Sequence, residues 1–329
     1  MLTIHVRNVN DALSLGVMYL RSNGVVRESR NGETIEINGP VATRYSAPNE
    51  RVLFDDLRNA NPFFHLMESL WILAGRDDVA AIKTYLPTIG DFSDNGITFH
   101  GAYGARLRHN GIDQIQTAIE MLKKDPTTRR VVLQLWDHML DLNHPSKDIP
   151  CNDMIGLKVR DNELQMTVFC RSNDMVWGAY GTNVVQFSML QEFIASAAGV
   201  KVGPYTQISD SFHVYTSLPY WQEVSRRKET DLLPDLYTQN VVKPYPLFHN
   251  ANQAEFEDDL ARLFNTGVHK GFRTLFFTDV VYYVGLAHAS YRDGDLAEAL
   301  YWTGHIRASD WRTACRQWLE RLIQRRKAA

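Results

Sequence analysis

Cys151 stands in Ile149-Pro150-Cys151-Asn152, and one β-hairpin later comes the run Arg171-Ser172-Asn173-Asp174-Met175-Val176-Trp177-Gly178. A thiol attacks carbon only as its thiolate, and a neighbouring guanidinium favours that anion. The pattern is that of an attacking cysteine with a cation at hand, beside an Arg-Ser pair suited to a phosphate. The other two thiols differ. Cys170 is in step with Leu164, Met166 and Val168 on one strand face, and Cys315 lies on the apolar face of the last helix, so both are expected to be small buried hydrophobes. Cys151 instead begins a strand, after a proline and before the polar pair Asn152-Asp153.

The elements that must position it are marked along the chain. Val25–Arg30 and Glu33–Ile37 flank Asn31-Gly32, a strong hairpin signal. Asn61 as N-cap, Pro62 in the first turn and Gly75 as stop bound a helix that is apolar nearly all round. Glu68 is the one carboxylate inside it. Burial raises a carboxylate pKa and makes it useful for proton transfer near neutrality, whereas a glutamate at a helix edge would simply reach solvent. A helix from about Asp113 to Lys124 precedes Arg129-Arg130 and a strand over Val131–Trp136, and another buried helix runs from Asn183 to Gly199. Ser309-Asp310 open a last helix whose Trp311, Ala314, Cys315, Trp318, Leu319, Leu322 and Ile323 form an apolar stripe, expected to be core packing.

Composition bounds the class. At 329 residues, 44% hydrophobic and net charge −3, the chain can bury a large core and carries no overall field for nucleic acid, so an anion must be met by local arginines. Three cysteines without CxxC or Cys/His spacing argue against a disulfide framework and a structural zinc, and no metal is expected. With no signal-peptide core and no apolar run of membrane-spanning length, the expected location is the cytoplasm.

Between about Val25 and Trp221 the ordered motifs Glu68–Gly75, His100-Gly101-Ala102-Tyr103-Gly104, Asp125–Arg130, Pro150-Cys151, Arg171-Ser172-Asn173-Asp174, Asn183 and His213-Val214-Tyr215 together resemble the thymidylate synthase family, which includes the pyrimidine-nucleotide hydroxymethylases. The resemblance implies an α+β fold, a mixed sheet with helices packed on one side and a homodimer interface on the other, over 1–250; the chain departs from the methylating pattern by continuing as a helical C-terminal extension, 251–329, expected to pack on that core. It implies 5,10-methylenetetrahydrofolate as cofactor and a pyrimidine nucleoside monophosphate as substrate. Cys151 would add to C6, Glu68 and Tyr103 would manage protons, and Asn183 would read the base edge. Arg171 and Ser172, with Arg129 and Arg130 from the second subunit and either Arg27 or Arg30, would bind phosphate. His213 and Tyr215 would hold the sugar, and Asp174, Gly178 and Phe92 would face the cofactor.

The departures from the methylating pattern carry the finer expectations. Asn152 follows the nucleophile where a histidine is usual, and Tyr180-Gly181-Thr182 replaces a Pro-Phe pair. The stretch from Arg171 to Asn183 is one residue longer, which leaves Thr182 as a rival to Asn183. Gly90 and Phe92 stand where methylating relatives place tryptophans over the C5-methylene intermediate, and water exclusion there decides between methyl and hydroxymethyl product. Hydroxymethylation is therefore expected ahead of methylation, on a deoxynucleotide, with dUMP ahead of dCMP. A binding protein without activity would be expected to lack the nucleophile or the carboxylate, and both are present.

Overall fold

The computed structural model describes residues 1–227, 235–249 and 251–328, so Asn250 and Ala329, at the ends of the two expected regions, lie outside it. From the N-terminus, β1 (Leu2–Val6), α1 (Val9–Asn23), β2 (Gly24–Arg27), β3 (Thr34–Ile37) and β4 (Val41–Tyr45) lead to α2 (Pro62–Leu73), α3 (Val79–Lys83), α4 (Tyr103–Arg108), α5 (Gln114–Lys124), β5 (Val131–Gln134) and α6 (His138–Asp141). There follow β6 (Asn152–Arg160), β7 (Glu163–Cys170), β8 (Asn173–Asp174), α7 (Asn183–Ala198), β9 (Lys201–Ser209), β10 (Phe212–Tyr215) and α8 (Pro219–Val224), then α9 (Gln253–Thr266), α10 (Tyr282–Arg292), α11 (Leu296–Thr303) and α12 (Ser309–Ala328).

The hairpin β6–β7 is the centre of this arrangement. Its strands alternate buried and open residues, and its two-residue turn, Asp161-Asn162, has φ of 52° and 61°, the left-handed pair that matches strand twist. The hairpin belongs to a six-stranded mixed sheet ordered β1-β4-β9-β7-β6-β5, parallel at β1/β4 and β7/β9. One face buries Leu133, Ile155, Leu157, Leu164, Met166 and Val168 in the core. The other leaves Val132 46% and Met154 40% exposed, with Phe169 and Ile208 half-buried.

A second sheet, ordered β2-β3-β10-β8, adds to the expected one. Its N-terminal hairpin is real, but Asn31-Gly32 does not form a two-residue turn. Arg27 pairs with Thr34, and Ser29 and Gly32 exchange main-chain hydrogen bonds inside the longer loop. The helix boundaries follow their signals: Asn61 Oδ1 accepts from Phe64 N at 3.1 Å to start α2, and Gly199, at φ 79°, ends α7.

Residues beyond 251 join the same hydrophobic core. Phe63 of α2 meets His288 of α10 and Trp318 of α12 at centroid separations of 5.4 and 5.5 Å, and Phe193 of α7 meets Phe256 of α9 at 5.6 Å. Within α12, Trp311, Ala314, Cys315, Trp318 and Leu319 are buried, and Leu322 and Ile323 half-buried. Truncating Phe63 opens a cavity that both parts of the chain line. We expect Phe63→Ala to lower stability by about 3–5 kcal/mol, and the wild type to unfold in urea with coincident fluorescence and circular-dichroism transitions. Separate transitions would show that the C-terminal helices fold on their own.

Candidate active site

A cleft of about 180 Å³ is walled by α2, the segment before β6, the start of α4 and the start of α7. Cys151, Glu68, Tyr103 and Asn183, the four expected catalytic residues, all line it, as does Thr182. A wider cleft of about 620 Å³, bordered by Arg7, Asp11, Arg44 and Asp235, has Ser14, Ser46 and Thr238 in its wall but none of the expected catalytic residues. The expected site residues therefore gather at the smaller one.

Cys151 precedes β6 and is tied to the far strand of the hairpin, since its carbonyl accepts from Arg171 N at 2.9 Å. The Arg171 guanidinium donates to Pro150 O at 2.9 Å and Ile149 O at 3.0 Å, and its Nη2 lies 3.9 Å from Cys151 Sγ. The expected cation is in place, yet burial outweighs it and pushes the thiol's pKa up, with the Arg171 charge only partly opposing. Sequence could place the guanidinium but not weigh it against desolvation.

Glu68 Oε2 accepts from Gln186 Nε2 at 2.6 Å. The carboxyl opens onto the cleft but is otherwise surrounded, and this desolvation raises its pKa from 4.5 to about 8, against the opposing Gln186 bond. At neutral pH it is therefore chiefly a proton donor. Tyr103 begins α4, its hydroxyl accepts from Asn152 Nδ2 at 2.9 Å, and burial holds its pKa well above the usual phenol value.

Between Arg171 and Asn183 the chain forms a π-helical stretch, Met175–Thr182, where a loop was expected, and such a wide turn can take up the one residue by which this segment is expected to be longer. It breaks at Tyr180 and at Gly181 (φ −118°, ψ −110°), where a Cβ would lie 2.6 Å from Val176 O. Both Thr182 and Asn183 consequently reach the cleft, but their partners differ. Thr182 Oγ1 donates to Trp177 O at 3.3 Å, whereas Asn183 Nδ2 donates to Asn173 Oδ1 at 3.1 Å and Asn173 Nδ2 to Ser209 Oγ at 2.9 Å. Gly178 makes room for this pair, since its Cβ would be 2.5 Å from Asn173 Oδ1.

Around this centre the second sheet sets His213 opposite Asp174 and Tyr215 two residues on, so both ring side chains leave β10 on one face. Asp174 Oδ1 caps the π-helical stretch through Val176 N and Trp177 N, while its buried Oδ2 has no partner. The two N-terminal arginines separate: Arg27 Nη2 donates to Asn38 Oδ1 at 2.9 Å, whereas Arg30 is near enough for its charge to lower the Cys151 pKa. Ser172 is half-buried beside Arg171. Arg129 and Arg130 are exposed and are not brought to this cleft. Val131 pairs with Leu157, six residues along from Cys151, roughly 20 Å at strand rise.

At the rim, Phe92 is 55% exposed and, with Ile89, borders the cleft, whereas Gly90 turns towards the Lys83 side chain. Two polar wall residues escaped the sequence reading. Gln186 lies three positions after Asn183 on the same helix face, a spacing that could have revealed it. Asp148, three residues before the nucleophile, has Oδ2 accepting from Gly101 N at 2.8 Å. Its one signal was an acidic side chain close to Cys151.

The thymidylate synthase family profile matches residues 16–258. A deoxyuridylate hydroxymethyltransferase of Pseudomonas phage M6 is 40% identical over 98% of this chain and 94% of its own length. A protein of the same name from Bacillus phage SP01 is 42% identical over 56% of this chain and 51% of its own. A putative thymidylate synthase of Methanosarcina barkeri is 37% identical over 37% of the chain and 56% of its own.

Glu68 supplies a pH test. Its folded pKa of about 8 exceeds the unfolded value of 4.5, so between those values the folded state holds the extra proton and stability falls as pH rises, by up to about 1.4 kcal/mol per unit. The Glu68→Gln variant lacks this slope. Its melting temperature relative to wild type should climb between pH 5 and pH 9, and a constant difference would rule out a raised Glu68 pKa.

Proposed function

Because the chain belongs to the thymidylate synthase family, we propose that it transfers a one-carbon unit from 5,10-methylenetetrahydrofolate to C5 of dUMP and releases it as hydroxymethyl. The observation that carries this reading is the rim above Cys151, where Gly90 turns away and an exposed Phe92 leaves the cleft open to water. An electrophilic methylene at C5 takes hydride when water is excluded and hydroxide when it is not. The hydroxymethyl product and the uracil base accord with the name of the phage M6 relative.

The residues divide the work. Cys151 Sγ adds to C6 of the pyrimidine, with Arg171 as the nearest cation to the thiolate, and this turns C5 into a carbon nucleophile. Glu68, protonated at neutral pH, donates towards the ring carbonyl, and Tyr103, oriented by Asn152, shares the proton network. Asn183 sets the base. With one Nδ2 hydrogen given to Asn173, its Oδ1 accepts from uracil N3–H and the second Nδ2 hydrogen serves O4. Cytosine would need the amide reversed, setting Asn183 Oδ1 against Asn173 Oδ1. The cofactor supplies the carbon at the oxidation level of formaldehyde. Asp174 suits it, because the unpartnered Oδ2 is an acceptor for the N–H donors of a pterin; Phe92 offers a ring face beside it, and Gly178 lies on the same turn. His213 and Tyr215 hold the sugar hydroxyl.

Arg30, Arg171 and Ser172 form one part of the phosphate site, and the remoteness of Arg129 and Arg130 from their own Cys151 supports their contribution to a second subunit's site. The open sheet face with Val132 and Met154 is the surface through which a homodimer would form. Three free thiols, one of which must stay reduced to act, fit the cytoplasm.

Mass analysis of the product from dUMP and the cofactor should show the gain of CH2O; a gain of CH2 would make the protein a methylating enzyme. Arg129→Ala and Cys151→Ser proteins, each inactive alone, should together recover roughly a quarter of wild-type activity, since half of randomly mixed dimers are hybrid and each restores one site. Verified hybrids without activity would put Arg129 outside the shared site.

A further inference from the structure

Asp148 is the second carboxylate of the cleft, and the reaction as derived so far leaves it without a role. It lies in the same wall as Cys151, in the segment Asp148-Ile149-Pro150-Cys151. That segment is seated against Gly101, whose Cβ would lie 2.6 Å from Asp148 O and 3.0 Å from Pro150 N, so only glycine permits the approach. The Gly101 N–H holds Asp148 Oδ2 at 2.8 Å and leaves Oδ1 as an acceptor without a described protein partner. Its charge is felt by Glu68, Tyr103 and Cys151 alike, which sets the carboxyl among them.

The two carboxyls sit in different surroundings. Glu68 is bonded to a neutral amide and has no cation among its influences. Burial, helped by the Asp94 charge, leaves Asp148 raised as well, but the Gly101 N–H bond and then His100 and Arg106, both also paired with Asp141, oppose it, and Glu68 has no such cations. Two carboxyls whose environments differ in this sense divide into an acid and a base.

We propose that Asp148 is the general base that activates the water adding to the C5 methylene, an inference that rests on the hydroxymethyl reading. The step balances without a further reactant. Water oxygen forms a bond to the exocyclic methylene carbon, the methylene π pair moves into the ring as the C5–C4–O4 enolate, and the water proton passes to Asp148. The enolate then re-forms the C5–C6 double bond and expels the Cys151 thiolate from C6, and Asp148 returns its proton to solvent. Glu68 serves the ring carbonyl throughout and is not needed at the water.

The step can be run alone and backwards, without cofactor. Wild-type protein incubated with 5-hydroxymethyl-dUMP in ¹⁸O-water should exchange the hydroxymethyl oxygen, through addition of Cys151, loss of water and its return. Asp148→Asn should slow this exchange by about 100-fold or more, while single-turnover release of tritium from C5 of labelled dUMP, which precedes the water step, and nucleotide affinity stay near wild type. Asp148→Glu, which keeps the carboxylate, should restore part of the exchange. Equal exchange by wild type and Asp148→Asn overturns the role of Asp148 alone, as does loss of tritium release in parallel with exchange. Wild-type protein that exchanges no label overturns the hydroxymethyl reading, and this proposal with it.

Discussion

The site depends on one guanidinium. Arg171, just past the end of β7, donates to the carbonyls of Ile149 and Pro150, while its own amide N–H is accepted by Cys151 O. These bonds lock the Cys151 segment to the far strand of the hairpin, so Cys151 can be placed only if β6 and β7 pair in one register. The two-residue turn at Asp161-Asn162 sets that register, and a slip of one residue would send every side chain to the opposite face. The same guanidinium is the main charge that eases ionisation of a thiol whose burial opposes it. The position of the Cys151 thiol and the ease of its ionisation thus share one cause.

Much of this was legible because the relevant signals are local. Asn61 and Pro62 announce α2, the alternation Leu164, Met166, Val168, Cys170 announces a strand with one buried face, and an isolated glutamate in an apolar helix announces a perturbed carboxyl. What stayed hidden is long-range or energetic. The four-stranded sheet depends on β8, only Asn173 and Asp174, lying beside β10, and no periodicity marks a two-residue strand. The direction of the Cys151 shift is a balance of desolvation against charge, which needs coordinates. Asp148 sits in an irregular segment where spacing carries no information about facing.

The C-terminal helices show how far the core extends. α2 presents Glu68 to the cleft and Phe63 to Trp318 and His288, so the helix is a partition between catalysis on one side and the last helices on the other. A buried Arg51–Glu192 ion pair, with Glu192 also accepting from Leu247 N at 2.9 Å, fastens the opposite side of α7. Tightly packed walls of this kind leave a cleft little freedom to change shape.

The wide turn at Met175–Thr182 separates chain length from alignment. Adding a residue to a regular helix rotates everything beyond it by about 100°, which would have swung Gln186 away from Glu68 and Gln191 away from the carbonyls of Leu164 and Gly203 that it bridges. The wide turn acts as an expansion joint: it can take up added length while the piers on either side, Asp174 and α7, keep their alignment. Length can therefore change in this one segment without the sheet or Cys151 having to move, so long as Gly178 and Gly181, where a Cβ would collide, are kept.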